Sequence, residues 1–190
     1  MTKIGLFGGT FDPVHIGHLI IAQSVHENLS LDITLFIPSA YPPHKGTDIM
    51  FSPETRYAML SRAIEGNPHF EVSDIEMKRK GPSYTIDTIR ELKTTLTEDT
   101  ELTFIVGRDN LPEISMWKEP DSILEECRFV IADRPSVNKI DIPEWMNGRV
   151  ASVNVPLIDI SSSWIRSRIR SGKNIRYLVP DVVSDMIDKM

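Results

Sequence analysis

The sequence MTKIGLFGGTFDPVHIGH, residues 1–18, carries the strongest structural signal of the chain. Residues 3–7 are a short apolar run of the kind that forms a buried strand, and Gly8-Gly9 and Asp12-Pro13 then predict a turn. Residues 17–29 have apolar side chains at helical spacing, so a helix is predicted after the turn. A strand, glycine turn and helix start can present backbone N–H groups to a phosphate, because glycine has no Cβ to keep an anion away.

Two histidines, His15 and His18, lie three residues apart where this helix is predicted to begin. Both side chains would point at a ligand bound at the turn. Each part of the pattern also has a simpler interpretation, since a Gly-Gly pair after a strand is commonly only a turn. The two histidines are equally compatible with a metal pair or with ordinary surface residues, although no third metal ligand is evident beside them. The dinucleotide-binding pattern G-x-G-x-x-G is absent.

Length and composition predict a soluble globular protein. The chain has 190 residues, which suits one domain or one domain with a small appendage; 41% of the residues are hydrophobic and 25% are charged. A net charge of −6 argues against a broad nucleic-acid-binding face, and no apolar run reaches the length of a membrane helix. We therefore expect a cytoplasmic protein with neither nucleic acid nor a membrane as its partner.

Cys127 is the only cysteine of the chain, which excludes an internal disulfide and suits a reducing compartment. A lone thiol is compatible with almost any compartment as well. Because Cys127 adjoins the apolar run at residues 129–132, we interpret it as a core residue rather than a nucleophile.

Apolar runs and amphipathic stretches alternate along the whole chain. Strands are predicted at residues 3–7, 33–37, 70–72, 102–106, 128–133 and 150–155. Helices are predicted from residues 17, 53, 85 and 121, after the serines at 161–163, and over 177–190. This alternation predicts an α/β fold, a Rossmann-like three-layer α/β/α domain with a parallel sheet. We expect one domain over 1–190, with a core to about 155 and a small helical part from about 156.

Two further stretches in the first half of the chain suit an anion. His44 and Lys45 follow paired prolines in the loop after the second predicted strand, although a solvated loop with chance charges explains them equally well. Either Ser83 or Thr85 is predicted to cap the helix near 85, whose N-terminus would offer free N–H groups. Plain helix capping is the alternative. Residues 74–80 between them are predicted to be an exposed extension.

The second half contains three more candidates. Gly107 and Asp109 follow the clearest buried strand, where a glycine and a carboxylate suit a pair of ribose hydroxyls. Trp117 is either a partly buried packing residue or a stacking platform for a ring. The serines at 161–163 cap a predicted helix that carries Arg166, which suits either plain capping or a phosphate.

The chain resembles a known family over its full length. GGTFDPVHIGH (8–18) and ISSSWIR (160–166) resemble the two signatures of the adenylyltransferase and cytidylyltransferase superfamily. Between them, PPHK (42–45), SYT-x-DT (83–88), G-x-DN (107–110), Trp117 and Arg134-Pro135 resemble the motifs of bacterial nicotinate-nucleotide adenylyltransferases. Other relatives, such as phosphopantetheine adenylyltransferase, are not expected to carry this middle set. Arg108 departs from the pattern, which more often has a small residue there, and it is expected to face the nucleotide loop.

The resemblance implies transfer of AMP from ATP to nicotinate mononucleotide, with Mg²⁺ accompanying the ATP. The catalytic residues it implies are His15, His18, Lys45 and Arg166. The ATP-binding residues it implies are Gly8, Gly9, Thr10, Phe11, His15, His18, Gly107, Asp109, Ile160, Ser161, Ser162 and Arg166. The residues it implies for nicotinate mononucleotide are Lys45, Tyr84, Thr85 and Trp117. A sister adenylyltransferase with another acceptor and a non-catalytic nucleotide sensor remain as alternatives, and the sequence leaves the oligomeric state open, a homo-oligomer included.

Overall fold

The computed structural model describes residues 1–43, 48–133 and 140–190, and a parallel six-stranded sheet lies at the centre of that part. The strands are β1 (Thr2–Gly9), β2 (Ile33–Pro38), β3 (Phe70–Val72), β4 (Thr100–Gly107), β5 (Arg128–Asp133) and β6 (Val150–Asn154). Their spatial order is β3-β2-β1-β4-β5-β6, with every neighbouring pair parallel. The order reverses beside β1, and in open parallel sheets such a reversal leaves a crevice at the carboxyl ends of the strands.

Helices cover both faces of the sheet. They are α1 (Ile16–Leu29), α2 (Pro53–Ile64), α3 (Ile75–Lys78), α4 (Thr85–Thr95), α5 (Leu111–Ile114), α6 (Pro120–Glu126), α7 (Ser162–Arg170) and α8 (Asp181–Ile187), with short 3-10 turns at Arg108–Asn110 and Glu144–Met146. In the described part of the chain, no helix is long and apolar enough to cross a membrane.

Alternation along the strands divides the core into two layers. Phe7 of β1 and Ile105 of β4 join the layer that also contains apolar residues of α1, α2, α7 and α8. Their neighbours Leu6 and Phe104 join the opposite layer, with residues of α4, α5 and α6. Successive strand residues point to opposite faces, so a sheet covered on both sides needs apolar residues in continuous runs. The predicted Rossmann-like α/β fold is confirmed.

Three local predictions were wrong, each because a distant contact outweighs the local pattern. Residues 74–80 are not an exposed extension, since they contain α3 with a buried Glu76. Neither Ser83 nor Thr85 caps α4, because the Ser83 hydroxyl accepts the Tyr41 N–H (3.2 Å) and Tyr84 precedes the helix. The last helix does not start at Tyr177: it is α8, which follows Pro180, and the carbonyl of Leu178 accepts the N–H of Ile16.

A buried histidine makes stability depend on pH. His26 lies 3.1 Å from the Thr34 hydroxyl, and its ring packs on that of His69. Burial, and then the charge of His69, lower the pKa of His26 against the opposing pull of Glu27 and Asp32. The unfolded chain therefore binds the proton more readily, so the free energy of unfolding should fall as the pH drops below about 6.5.

Urea unfolding of the protein and of His26→Asn, measured at pH 8 and at pH 5.5, tests this effect. The loss of stability between the two pH values should be smaller in the variant, because it lacks the titrating ring. An equal loss in both proteins would assign the pH dependence to other groups.

Candidate active site

A cavity of about 510 Å³ opens at the carboxyl ends of the central strands. Its walls combine the turn between β1 and α1, the start of α4, the end of β4 and the start of α7. Every predicted site residue within the described ranges lines this one cavity. They come from segments up to 158 residues apart, from Gly8 to Arg166, because parallel strands place all of their carboxyl ends at one edge of the sheet.

The turn after β1 is held by contacts with residues far away in the sequence. Asp12 accepts hydrogen bonds from the N–H groups of Met50 (2.8 Å) and Phe51 (2.9 Å), and the fully buried Arg56 donates to the carbonyl of Thr10 (2.6 Å). Gly9 is needed for close approach, since a Cβ there would lie 3.0 Å from the ring of Phe11. The sequence did not point to Arg56, because nothing near it in the chain distinguishes it from a surface arginine.

His15 and His18 form a stacked pair at the start of α1. Their ring centroids lie 3.6 Å apart, and a Cβ on Gly17 would lie only 3.1 Å from the His15 ring. The backbone N–H of His15 donates to Nδ1 of His18 (3.2 Å). A neutral His18 that accepts at Nδ1 carries its proton on Nε2, which leaves Nε2 as the donor nitrogen of the ring. Within the described ranges, no three His, Cys, Asp or Glu residues are grouped so that they could hold a metal ion.

The start of α7 meets the turn after β1. Ser161 caps the helix by accepting the N–H of Trp164 (3.2 Å), and Ser162 donates to the carbonyl of Pro13 (3.0 Å). Arg166 is only 8% exposed and donates to the carbonyl of Asp12 (3.0 Å). The two motifs at opposite ends of the chain therefore form one wall of the cavity.

Asp48, a residue to which the sequence assigned no role, already pairs with Arg166. Asp48 accepts from Nη2 of Arg166 (2.7 Å) and also from Arg170. These two hydrogen bonds, that from Arg166 first, lower the pKa of Asp48 to about 2, so it is an anion at neutral pH. Its side chain is 64% exposed. A single aspartate in a loop gave no signal of this role.

The start of α4 and the tryptophan form the other end of the cavity. Trp117 contacts Phe104 edge to face, with 5.9 Å between ring centroids, and also lines the cavity. The Lys118 amine lies 5.2 Å from the centre of the Tyr84 ring and pairs with Asp87. Trp117 is thus both a packing residue and an available ring surface, which combines the two interpretations of the sequence.

Residues 6–168 match a family model described as Cytidylyltransferase-like. The chain belongs to this family. It is 43% identical over 194 residues to a protein of Thermoanaerobacter sp. named Probable nicotinate-nucleotide adenylyltransferase, covering 98% of this chain and 92% of that one. A protein of the same name from Desulfitobacterium hafniense is 44% identical over 195 residues, with 98% and 93% covered.

The fold agrees with that family. The nicotinic acid mononucleotide adenylyltransferase of Plasmodium falciparum, solved with NaAD, superposes with a TM-score of 0.81 at 19% identity. That comparison covers 100% of this chain and 96% of the other, and at this identity it supports the fold alone.

Arg108, the departure from the family pattern, does not face the cavity as expected. It is buried and forms a bidentate ion pair with Asp133 (2.6 Å for each contact), and it also donates to the carbonyl of Ile140. A Cβ at the neighbouring Gly107 would contact a carboxylate oxygen of Asp109, so a larger residue there would require the Asp109 side chain to move. The family motif residues Lys45 and Arg134-Pro135 lie outside the described residues.

Proposed function

We propose that the protein is a nicotinate-nucleotide adenylyltransferase, which transfers AMP from ATP to nicotinate mononucleotide and releases pyrophosphate. The relatives of 43% and 44% identity, matched over nearly the whole chain, support this activity. The structural observation that supports this activity is that the N-termini of α1 and α7 line the same cavity. The N-terminus of α4 also lines it. Three helix N-termini suit the phosphates of one substrate and the carboxylate of another.

The reaction needs positioning more than acid–base chemistry. An oxygen of the acceptor phosphate forms a bond to the α-phosphorus of ATP, and the bond from that phosphorus to the pyrophosphate oxygen breaks. A phosphate monoester is already largely dianionic near pH 7, so no protein base has to remove a proton. Alignment of the two substrates and neutralisation of the charge that develops on the leaving group then supply the rate.

Each wall of the cavity has a proposed role toward ATP. His15 and His18 face the α- and β-phosphates, with the N-terminus of α1 behind them. Ser162 and Arg166 hold the leaving pyrophosphate, with Ser161 also assigned to ATP, and the role we assign to Lys45 is to neutralise the charge of the reacting phosphates. Gly107 and Asp109 line the adenosine. The other residues assigned to ATP are Gly8, Gly9, Thr10, Phe11 and Ile160. Mg²⁺ arrives with the ATP, bound to its phosphate oxygens.

The acceptor binds at the other end of the cavity. The N–H group of Thr85, the first residue of α4, receives the pyridine carboxylate beside Tyr84, and Trp117 packs on the ring. Lys45 contributes a positive charge toward the acceptor phosphate. We further propose that the enzyme works in the cytoplasm, with neither nucleic acid nor a membrane as its partner. Its single domain would consist of a core to about residue 155 and a C-terminal helical part. A homo-oligomer is compatible with all of these roles.

Pyrophosphate release from MgATP, measured with a panel of acceptor nucleotides, tests the function. We expect nicotinate mononucleotide to be the preferred acceptor. Preference for another acceptor would identify a sister adenylyltransferase, and ATP binding without pyrophosphate release from any acceptor would identify a nucleotide sensor.

Arg166→Ala should raise the KM for ATP about 10- to 100-fold and leave that for the acceptor almost unchanged. The expected loss is that of a charge-assisted contact in a desolvated site. Arg170→Ala is the matched control, because Arg170 also binds Asp48 but does not line the cavity. If the KM for the acceptor rises while the KM for ATP is unchanged, each substrate binds at the end of the cavity that we assign to the other.

Asp48→Asn should change the KM for ATP in the direction opposite to that expected for Arg166→Ala. ATP has to displace the Asp48 carboxylate from Arg166, so removing its charge should lower the KM for ATP about two- to five-fold, the small effect of an exposed pair. The effect should disappear in the Arg166→Ala background. An unchanged or higher KM for ATP in Asp48→Asn would show that the carboxylate does not compete with the triphosphate.

A further inference from the structure

Glu76 is a buried carboxyl in the cavity wall that the proposed reaction does not use. It is 6% exposed, on the short helix α3, and it lines the cavity beside the start of α4. Oε1 accepts a hydrogen bond from the hydroxyl of Thr88 (2.7 Å), in the first turn of α4. Oε2 is buried and has no hydrogen-bond partner among the residues that the structure describes. A buried polar atom without a partner is costly, so its position at the wall of a binding cavity points to a ligand.

A network of side chains holds this carboxyl in place. Arg79 donates to the Thr88 hydroxyl (2.8 Å), and its Nη2 lies 4.0 Å from Oε1 of Glu76. The carboxyl therefore cannot turn away without breaking contacts with the first turn of α4. Thr88 is three residues after Thr85, so Glu76 belongs to the acceptor end of the cavity rather than to the ATP end.

We propose that Glu76 recognises the acid group of the acceptor, with a proton on Oε2 donating a hydrogen bond to the pyridine carboxylate while Oε1 remains on Thr88. This inference rests on the proposed function and names a further specificity residue for it. Two carboxylates cannot lie together in a desolvated site unless one of them is neutral, and the proton they share then becomes a hydrogen bond. Glu76 thus complements the N–H group of Thr85.

The surroundings of Glu76 favour its neutral form. Burial raises the pKa of the carboxyl, and the hydrogen bond from Thr88, the nearby hydroxyls of Ser83 and Ser39 and the charge of Arg79 oppose this only in part. Arg56, on α2, is the other charged group that faces it, and its own hydrogen bonds go to backbone carbonyls. A bound nicotinate would add a negative charge and favour the neutral form further.

The inference predicts that acceptor selectivity depends on pH. A protonated Glu76 donates to a carboxylate, whereas an ionised Glu76 repels a carboxylate and accepts from the N–H₂ group of an amide. The ratio of kcat/KM for nicotinate mononucleotide to that for nicotinamide mononucleotide should therefore fall about tenfold or more as the pH rises through the pKa of Glu76. The two acceptors carry the same phosphate, so its own titration cancels in the ratio.

Kinetics on three proteins, across the whole pH range in which each stays folded, test this inference. In Glu76→Gln the amide still donates but cannot ionise, so the ratio should stay high and independent of pH, with the KM for ATP unchanged. Glu91→Gln is the matched control, since it removes the other acidic partner of Arg79 outside the cavity, and it should keep the pH-dependent ratio of the unmodified protein.

Two results would overturn the inference: a ratio that does not change with pH in the unmodified protein, or one that changes equally in Glu76→Gln. Absence of pyrophosphate release with either acceptor would instead contradict the proposed function itself. The two failures are therefore distinguishable in one set of assays.

Discussion

His18→Ala is expected to lower kcat by about 10²–10³-fold, the usual cost of removing one donor that faces developing charge on a transferred group. Nδ1 of His18 accepts the N–H of His15, so a neutral ring carries its proton on Nε2, and the residue lines the cavity. That donor should be most useful when charge builds on the phosphate oxygens in the transition state. Turnover at saturating ATP and acceptor, together with a thermal melt to establish folding, measures the effect.

His18→Asn separates catalysis from helix capping. The asparagine oxygen can still accept the His15 N–H, but the side chain has no donor at the position of Nε2. The kcat of His18→Asn should therefore be about as low as that of His18→Ala. The exposed His69→Ala, away from the cavity, is the control and should keep full activity. Near wild-type turnover in either His18 variant would remove this residue from the mechanism.

The second large effect concerns the choice between a pyridine carboxylate and a pyridine amide near neutral pH. The N–H groups at the start of α4 suit an anion, whereas the N–H₂ of an amide would face them with no acceptor between. A buried donor left unpaired costs about 1–3 kcal/mol, so kcat/KM should favour nicotinate mononucleotide by about 5- to 150-fold. Equal values for both acceptors would contradict this account.

Trp117 should not contribute to that choice. A ring stacks similarly on both acceptors, so Trp117→Ala should weaken both by comparable factors. Trp164→Ala is the control, because Trp164 does not line the cavity and is largely exposed. If selectivity disappears in Trp117→Ala, the discrimination resides at the ring rather than at the helix start.

The turn between β1 and α1 is a part of the site whose local structure could be predicted from the sequence. Glycines after an apolar run, followed by a histidine pair and a helical pattern, predicted a strand, a turn and a helix start with both histidines facing one ligand. The structure has these elements in that order and places both rings in the cavity wall. The prediction of these elements succeeded because each depends on backbone conformation within a few residues, and the shared ligand stays a prediction.

Arg108 shows where that reasoning fails. Its position beside Gly107 suggested the nucleotide loop, but its partner is Asp133, 25 residues further on, at the end of the next strand in the sheet. An arginine pairs with a carboxylate that the fold brings close to it. No local sequence pattern specifies the order of the strands in the sheet, so this partner could not be predicted.

By itself, the sequence determined the alternation of strands and helices, the parallel sheet and the set of motif residues that gather at its carboxyl edge. These follow from hydrophobic periodicity and from the geometry of parallel strands. Only the tertiary structure decided which charged groups are buried and with whom they pair. Glu76 lies in a stretch of polar residues that looks exposed, and Asp48 reaches Arg166 across 118 residues. The free energy of a charge depends on its desolvation and on nearby partners in space, and folding sets both of these over distances that local sequence does not describe.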